Sequence, residues 1–373
     1  MPGVPRLDAV TAQDSAAPRR VIHVASGREW RGGQRQVLYL ARGLASRRDV
    51  DTLVLTGRET RLARECTAHG VTLLPVRWHA GLDPRVLTRL VRQSDRHTIL
   101  HAHDGHAHAL ADLAARLTGA RVVVTRRMAT PITAPRRYRR AAAVIALSAA
   151  IAEQVEAAGV APQRIHRIPP AVDLAALEPP PAWPEVLPRP SDGAPLVVAI
   201  AALTAEKGID LLLEAAALLR PEWPALRWLV LGDGVERTAL LAQREALGLD
   251  TVVELAGHLP RPEGVLPLAT LAVQPSRHEG FGSVVLEAMA LGVPVVASAV
   301  GGLPDALAGG GGVLIPPNDP AALARAVADL LADPARRAVL SDAGRLAARE
   351  FAVERLVQRT LDVYRSLDLY PGS

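Results

Sequence analysis

Two glutamates stand eight residues apart in Pro275-Ser276-Arg277-His278-Glu279-Gly280-Phe281-Gly282-Ser283-Val284-Val285-Leu286-Glu287. The stretch follows an apolar run, Leu271 to Gln274, that reads as a buried strand, and it opens a helix-length segment closed by Gly292 and Pro294. The turn between strand and helix holds two glycines, so backbone amides at the helix start are free to face an anion. Glu279 lies in the loop and is able to point into a cleft. Glu287 falls four residues after Ser283, the expected N-cap, so the two share a helix face. A carboxylate between Val-Val-Leu and Ala-Met-Ala is costly to bury without hydrogen-bond donors, and sugar hydroxyls would supply them.

Other residues capable of chemistry are fewer. Lys207, the only lysine among 373 residues, sits in Ala205-Glu206-Lys207-Gly208, at the expected start of a second helix. His101-Ala-His103-Asp104-Gly105-His106-Ala-His108 nearly reads as the His-x-His-x-Asp-His of a binuclear metallohydrolase. Asp and Gly are exchanged, however, and no second cluster follows at ligand spacing. Asp49-Val50-Asp51 precedes a strand and reads as a turn. No metal is expected. The pair Gly32-Gly33 is not Gly-x-Gly-x-x-Gly, which argues against a dinucleotide fingerprint. Paired glycines at a helix start still let backbone approach a phosphate.

Glu279 and Glu287, inside "PSRHEGFGSVVLEAMALGVPVVASAVGGLPDAL", resemble the signature of the family 4 retaining glycosyltransferases of the GT-B fold, and the likeness runs from about Val21 to Tyr364. It implies an α/β fold: two Rossmann-like, doubly wound parallel-sheet domains facing a central cleft. By the resemblance Glu279 meets the donor sugar, Glu287 binds the nucleotide ribose, and the amides of Gly280, Phe281, Gly282 and Ser283 face the diphosphate. Lys207 would stand against that diphosphate and stabilise the departing nucleotide. Gly32 and Gly33 would face the donor phosphates, Gly232 in Gly232-Asp233-Gly234 the base, and Gly301-Gly302 would border the cleft. His101 and His103 would end a strand on the acceptor side. The chain departs from the family pattern at Ala202, where an arginine is usual, and at Arg127, where a histidine is usual; Pro169-Pro170-Ala171 replaces the commoner Pro-Asn-Gly. Arg127 is thus expected with Glu279 and Lys207 as catalytic, and Arg126 on the acceptor side, where an arginine would hold an anionic acceptor or the diphosphate. The expected activity is metal-independent transfer, with retention, from a nucleoside diphosphate sugar to a lipid-linked or cell-surface glycan, with no bound cofactor. A phosphorylase or epimerase on the same fold, and a non-catalytic sugar-nucleotide-binding homologue prompted by Ala202 and Arg127, remain alternative readings.

The surrounding elements fit that cleft. A tail over residues 1–19, with three prolines, precedes a first domain over 20–176 in which short apolar runs alternate with helical segments, the pattern of a doubly wound sheet. A proline-rich linker over 177–194 leads to a second domain over 195–352 that repeats the alternation. A last helix, within 353–373, would in the family cross back to the first domain. The first 190 residues carry 28 basic against 16 acidic side chains and the remainder 15 against 22, so only one half suits an anionic partner. No stacking aromatics accompany the charge, which disfavours nucleic acid. An anionic lipid or glycolipid surface fits better, and a merely solvated arginine-rich surface stays open. One cysteine, Cys66, excludes an intrachain disulfide. With no apolar run of membrane-spanning length and no signal-peptide core, the expected location is the cytoplasm, with peripheral contact at the inner face of the membrane.

Overall fold

The computed structural model describes residues 19–78, 81–128, 130–190 and 193–367. The tail expected over residues 1–19 lies outside them except for the backbone of Arg19, as does the stretch after Leu367. In order, the first half contains β1 (Arg19–Val24), α1 (Gly32–Ala45), β2 (Val50–Gly57), α2 (Arg61–Ala68), β3 (Thr72–Val76), α3 (Pro84–Gln93) and β4 (Ile99–Ala102). It continues with α4 (Gly105–Thr118), β5 (Arg121–Arg126), α5 (Pro135–Arg140), β6 (Ala143–Ala146), α6 (Ala149–Ala157) and β7 (Ile165–Arg167). The second half contains β8 (Leu196–Ile200), α7 (Ile209–Leu219), β9 (Arg227–Leu231), α8 (Arg237–Ala246), β10 (Val253–Gly257) and β11 (Leu271–Gln274). After these come α9 (Ser283–Ala290), β12 (Val295–Ser298), α10 (Leu303–Leu307), β13 (Gly312–Ile315), α11 (Pro320–Ala332), α12 (Pro334–Ala348) and α13 (Val353–Ser366).

Strands such as β8 and β12 are buried along their whole length, as they must be when helices cover both faces of a parallel sheet. The strand orders are β3-β2-β1-β4-β5-β6-β7 and β10-β9-β8-β11-β12-β13, parallel throughout. Each sheet reverses its winding once, between β1 and β4 and between β8 and β11. Ligands of such sheets bind beyond the strand C-termini at those switch points. The Gly32-Gly33, Lys207 and Glu279 loops leave the sheets there.

The two halves are joined twice. Between β7 and β8 the proline-rich stretch is packed: Trp183 and Leu187 are buried, and the Trp183 indole donates to the Leu187 carbonyl at 3.1 Å. The second connection is α13. Val172 N–H donates to the Phe351 carbonyl at 2.8 Å, and the chain then runs back over the first sheet. There Val353, Val357, Leu361 and Tyr364 pack with Val21, Ile99 and Val123. Gly43 of α1 faces Val357 so closely that a Cβ there would collide with it.

Three local expectations change. Asp51 is not in a turn but inside β2, where it accepts a hydrogen bond from Arg20 at 2.8 Å. The helix expected to begin near Lys207 is split. Lys207 ends a single 3₁₀ turn, and Gly208, with φ +66°, turns the chain before α7 starts. The helix α5 is an addition: its arginines show no apolar period, and only Tyr138 turns inward. Among the described residues no helix is long and apolar enough to cross a membrane.

Candidate functional site

The loops after β8 and β11 are locked together. Arg277 forks onto Asp210 at the start of α7, with Nη1 2.7 Å and Nη2 2.5 Å from its two carboxylate oxygens, and also donates to the Ala205 carbonyl at 2.8 Å. Burial alone would raise the Asp210 carboxyl, but the bidentate guanidinium outweighs it and holds the group below its ordinary value. The clamp fixes the Lys207 turn against the Glu279 loop. Lys207 Nζ donates to Glu279 Oε2 at 2.9 Å, and the two side chains are only 20% and 12% exposed. Gln274 and Ser276 also reach that oxygen, at 3.2 and 3.4 Å, while Oε1 accepts from Gly280 N–H at 3.1 Å. Lys207 and Glu279, expected separately, therefore form one nearly neutral pair. A Cβ at Gly301 or Gly232 would collide with the carbonyl oxygen of Glu279 or Ala201, so both glycines are required where loops cross tightly.

The helix α9 begins differently from expectation. Gly282, with φ +87°, is its N-cap, and Ser283 is the first helical residue, with no capping bond of its own. A Cβ on Gly32, the first residue of α1, would lie 3.1 Å from Ser283 Oγ. The N-termini of α1 and α9 therefore meet across the cleft, two partial positive charges aimed at one place. The side chain of Phe281 is not at that place. It is buried edge-on against Phe351, with ring centres 5.6 Å apart, which leaves only its backbone to face a ligand.

Glu287 is buried on α9. Its Oε1 accepts from Arg35 Nη2 of α1 at 2.8 Å, and its Oε2 is buried with no partner among the described residues. Burial pushes the carboxyl above its ordinary value, and the Arg35 charge offsets this only in part. An orphaned carboxylate oxygen at the meeting point of two helix N-termini is a ready acceptor for a hydroxyl. Arg35 was not foreseen, although a cation two residues beyond the glycine pair was the available signal.

On the opposite wall, the Arg127 carbonyl oxygen occupies the space a Gly280 Cβ would need, and a Cβ on Gly33 would be 3.6 Å from Arg127 Cδ. Gly32, Gly33, Arg127, Gly280, Ser283 and Glu287 are thus brought together. Desolvation pulls the Arg127 pKa down to about 10. His101 and His103, expected on the acceptor side, are both buried. His101 is fully buried between Tyr364 Oη at 2.6 Å and Thr125 Oγ1 at 2.7 Å. A cavity touching both histidines is about 20 Å³, room for one water and not for a sugar. His103 is buried between His23 and Arg127. Arg126, also expected on the acceptor side, is held locally. Its guanidinium is taken up by Tyr138 Oη at 3.2 Å, by Thr130 Oγ1 at 3.0 Å and by the Thr130 carbonyl, so it pins the loop before α5. Asp104, the acid of the histidine motif, caps α4 through Ala107 N–H at 2.9 Å and accepts from Ser26.

Comparison with known proteins agrees with this architecture. Residues 30–176 match the family model of Glycosyltransferase Family 4, and residues 186–347 that of glycosyl transferases group 1. A D-inositol 3-phosphate glycosyltransferase of Thermobispora bispora is 36% identical over 226 residues, 57% of this chain and 53% of that protein. The chain thus spans about half the length of the curated relatives it matches. Anabaena Alr3699/HepE in complex with UDP-glucose superposes with a TM-score of 0.78 at 19% identity, covering 94% of this chain and all of that one. A glycosyltransferase from Rickettsia africae gives 0.80 at 16%, covering 95% and 100%. Two parallel sheets meeting at their switch points, with both family models matched in chain order, make this chain a member of the family 4, group 1 glycosyltransferases of GT-B type.

Proposed function

We propose that the protein is a retaining, metal-independent glycosyltransferase that moves a sugar from a nucleoside diphosphate to a lipid-linked or cell-surface glycan. The observation that carries this is Glu287 Oε2, a buried carboxylate oxygen without a partner where the α1 and α9 N-termini converge. A ribose hydroxyl supplies the missing donor, and the diphosphate then lies over the helix starts, within reach of Lys207. Glu279 orients Lys207 and accepts from the donor sugar. The bond from the anomeric carbon to the phosphate oxygen breaks. The acceptor oxygen attacks the same face, and its proton passes to the departing phosphate, so no protein nucleophile is needed. Lys207, with Arg127 from the opposite wall, takes up the charge that the leaving diphosphate gains.

In this reading the first domain is the acceptor side, and Arg127, with no carboxylate pairing it among the described residues, favours an acceptor that bears an anion. The relatives' name, D-inositol 3-phosphate glycosyltransferase, describes a phosphorylated acceptor of the same charge. The arginine-rich first half would contact an anionic membrane. Binding to anionic vesicles, lost in salt and absent on neutral ones, is the expected result, and equal partitioning onto both would remove the membrane from the proposal. The decisive experiment is a thermal-shift screen of nucleotide sugars, followed by NMR of the product anomer and of acceptor-dependent nucleotide release. Release without an acquired glycosidic bond, or an inverted anomer, would overturn it. Ala202, which lacks the family's usual charge, favours a second reading, a nucleotide-sugar binder that releases no nucleotide in that assay.

A further inference from the structure

We propose that His103 and, behind it, His23 are positioning residues that hold the Arg127 guanidinium at the cleft in one orientation without neutralising it. The proposal rests on Arg127 being the cation for a phosphate-bearing ligand. Among the described residues no carboxylate pairs with Arg127, and its side-chain partner is His103, with Nη2 3.2 Å from Nδ1. Asp104, the acid whose charge it feels, is occupied by Ser26 and the start of α4.

The proton positions follow from the cleft inward. A guanidinium only donates, so His103 Nδ1 is the bare, accepting nitrogen and its proton is on Nε2. That Nε2 is 3.0 Å from His23 Nδ1, which must accept, so His23 carries its proton on its own Nε2. His23 Nε2 is buried with no partner among the described residues, and the string ends there. A protonated His103 would turn its accepting nitrogen into a donor and set two cations side by side. Burial prevents this: desolvation brings His23 down to about 3, and desolvation, then His101, His23 and Arg127, keep His103 well below its ordinary value. A carboxylate at position 103 would orient Arg127 equally well but would cancel its charge. A neutral imidazole orients it and leaves the whole charge for the ligand.

His23, His101 and His103 also have ring nitrogens within 4.8 Å of one another, the spacing of a metal centre. Five of their six ring nitrogens are already committed: both of His101 to Tyr364 and Thr125, both of His103 to Arg127 and His23, and His23 Nδ1 to His103. A divalent ion would sit beside Arg127 with no carboxylate to offset it.

The test uses the full chain with ¹⁵N-labelled histidine. NMR should show both His103 and His23 neutral and protonated at Nε2, with the His103 Nδ1 resonance moving in Arg127→Ala. A His103 protonated at Nδ1, or one zinc per chain by elemental analysis, overturns the proposal. Calorimetry with UDP then separates the two layers. Arg127→Ala and His103→Leu should each weaken binding about 10- to 100-fold, the range for a hydrogen bond to a charged group. The double variant should lose no more than either one. His103→Gln, whose amide oxygen accepts and whose NH₂ donates to His23, should recover most of the loss. A weak Arg127→Ala beside a wild-type His103→Leu overturns the positioning role alone. Wild-type affinity in Arg127→Ala overturns the underlying reading, and the functional role of His103 falls with it, whatever tautomer is found.

Discussion

Replacing Lys207 by methionine removes one half of an ion pair whose members are 2.9 Å apart and mostly shielded from water. In the wild type a bound diphosphate meets a nearly neutral pair; in the variant it meets the Glu279 carboxylate alone. That carboxylate keeps its bonds from Gln274, Ser276 and Gly280, so it stays in place as an uncompensated charge. Unit charges roughly 6 Å apart at an effective dielectric of about 20 interact by about 3 kcal/mol, or about 100-fold in affinity. The sign of the Glu279 contribution is opposite to that of Lys207. UDP affinity should therefore rank Glu279→Gln tightest, then wild type, then the Lys207→Met/Glu279→Gln double variant, with Lys207→Met weakest. Calorimetry on the four proteins measures the order. Turnover should rank differently, because Glu279→Gln loses its sugar contact while Lys207→Met loses about 10²–10³ in rate, as for a preorganised oxyanion donor. A double variant that binds UDP no better than Lys207→Met would refute the argument, since Glu279 would then not face the diphosphate.

Glu287→Gln should weaken UDP binding by about 1–3 kcal/mol, because a charged acceptor becomes a neutral amide; unchanged calorimetry in a folded variant would mean that Oε2 serves another group. Acid should destabilise the fold through its buried histidines. His23, His101, His103 and His108 are all depressed from 6.5, His108 to about 4, so their stabilising contribution is complete above pH 6.5 and is lost as pH falls toward the folded values. Each adds a slope of up to about 1.4 kcal/mol per pH unit, and a flat urea midpoint between pH 7 and 5 would contradict the assignment. Gly301→Ala, in which a Cβ at φ +55° meets the Glu279 carbonyl, should displace that loop and weaken UDP while the first half stays folded. A crystal structure of the variant with the loop unmoved would contradict this.

Much of this was legible because local pattern and global topology agree. Apolar runs such as Leu196 to Ile200 and Val295 to Ser298, separated by amphipathic segments, admit little but a doubly wound sheet, and the Glu279 and Glu287 spacing survives any error in helix boundaries. What the sequence does not display is non-local. His23 lies opposite His101 only because β4 pairs with β1 in the sheet, although a histidine inside Val-Ile-His-Val, buried on both faces, was a visible anomaly. Arg35 meets Glu287 across the two halves, 252 positions apart in the chain, and no periodicity reports such a pair. The N-cap is Gly282 and not the expected Ser283 because Gly282 enters the helix from the left-handed region, a choice that residue type permits but does not announce.

The return of α13 has a bearing on how the protein is made. Val21, Ile99 and Val123 leave the ribosome more than two hundred residues before Val357, Leu361 and Tyr364, the side chains that cover them. During synthesis the first sheet therefore waits with one apolar face only partly covered, by Leu40 and Leu44 of α1, and with His101 lacking its bond to Tyr364, while the second half has its own sheet and core within a contiguous span. The half that is translated first is completed last. A nascent chain stalled after Ala348 would thus carry its folding defect, and its affinity for chaperones, at the opposite end from the break.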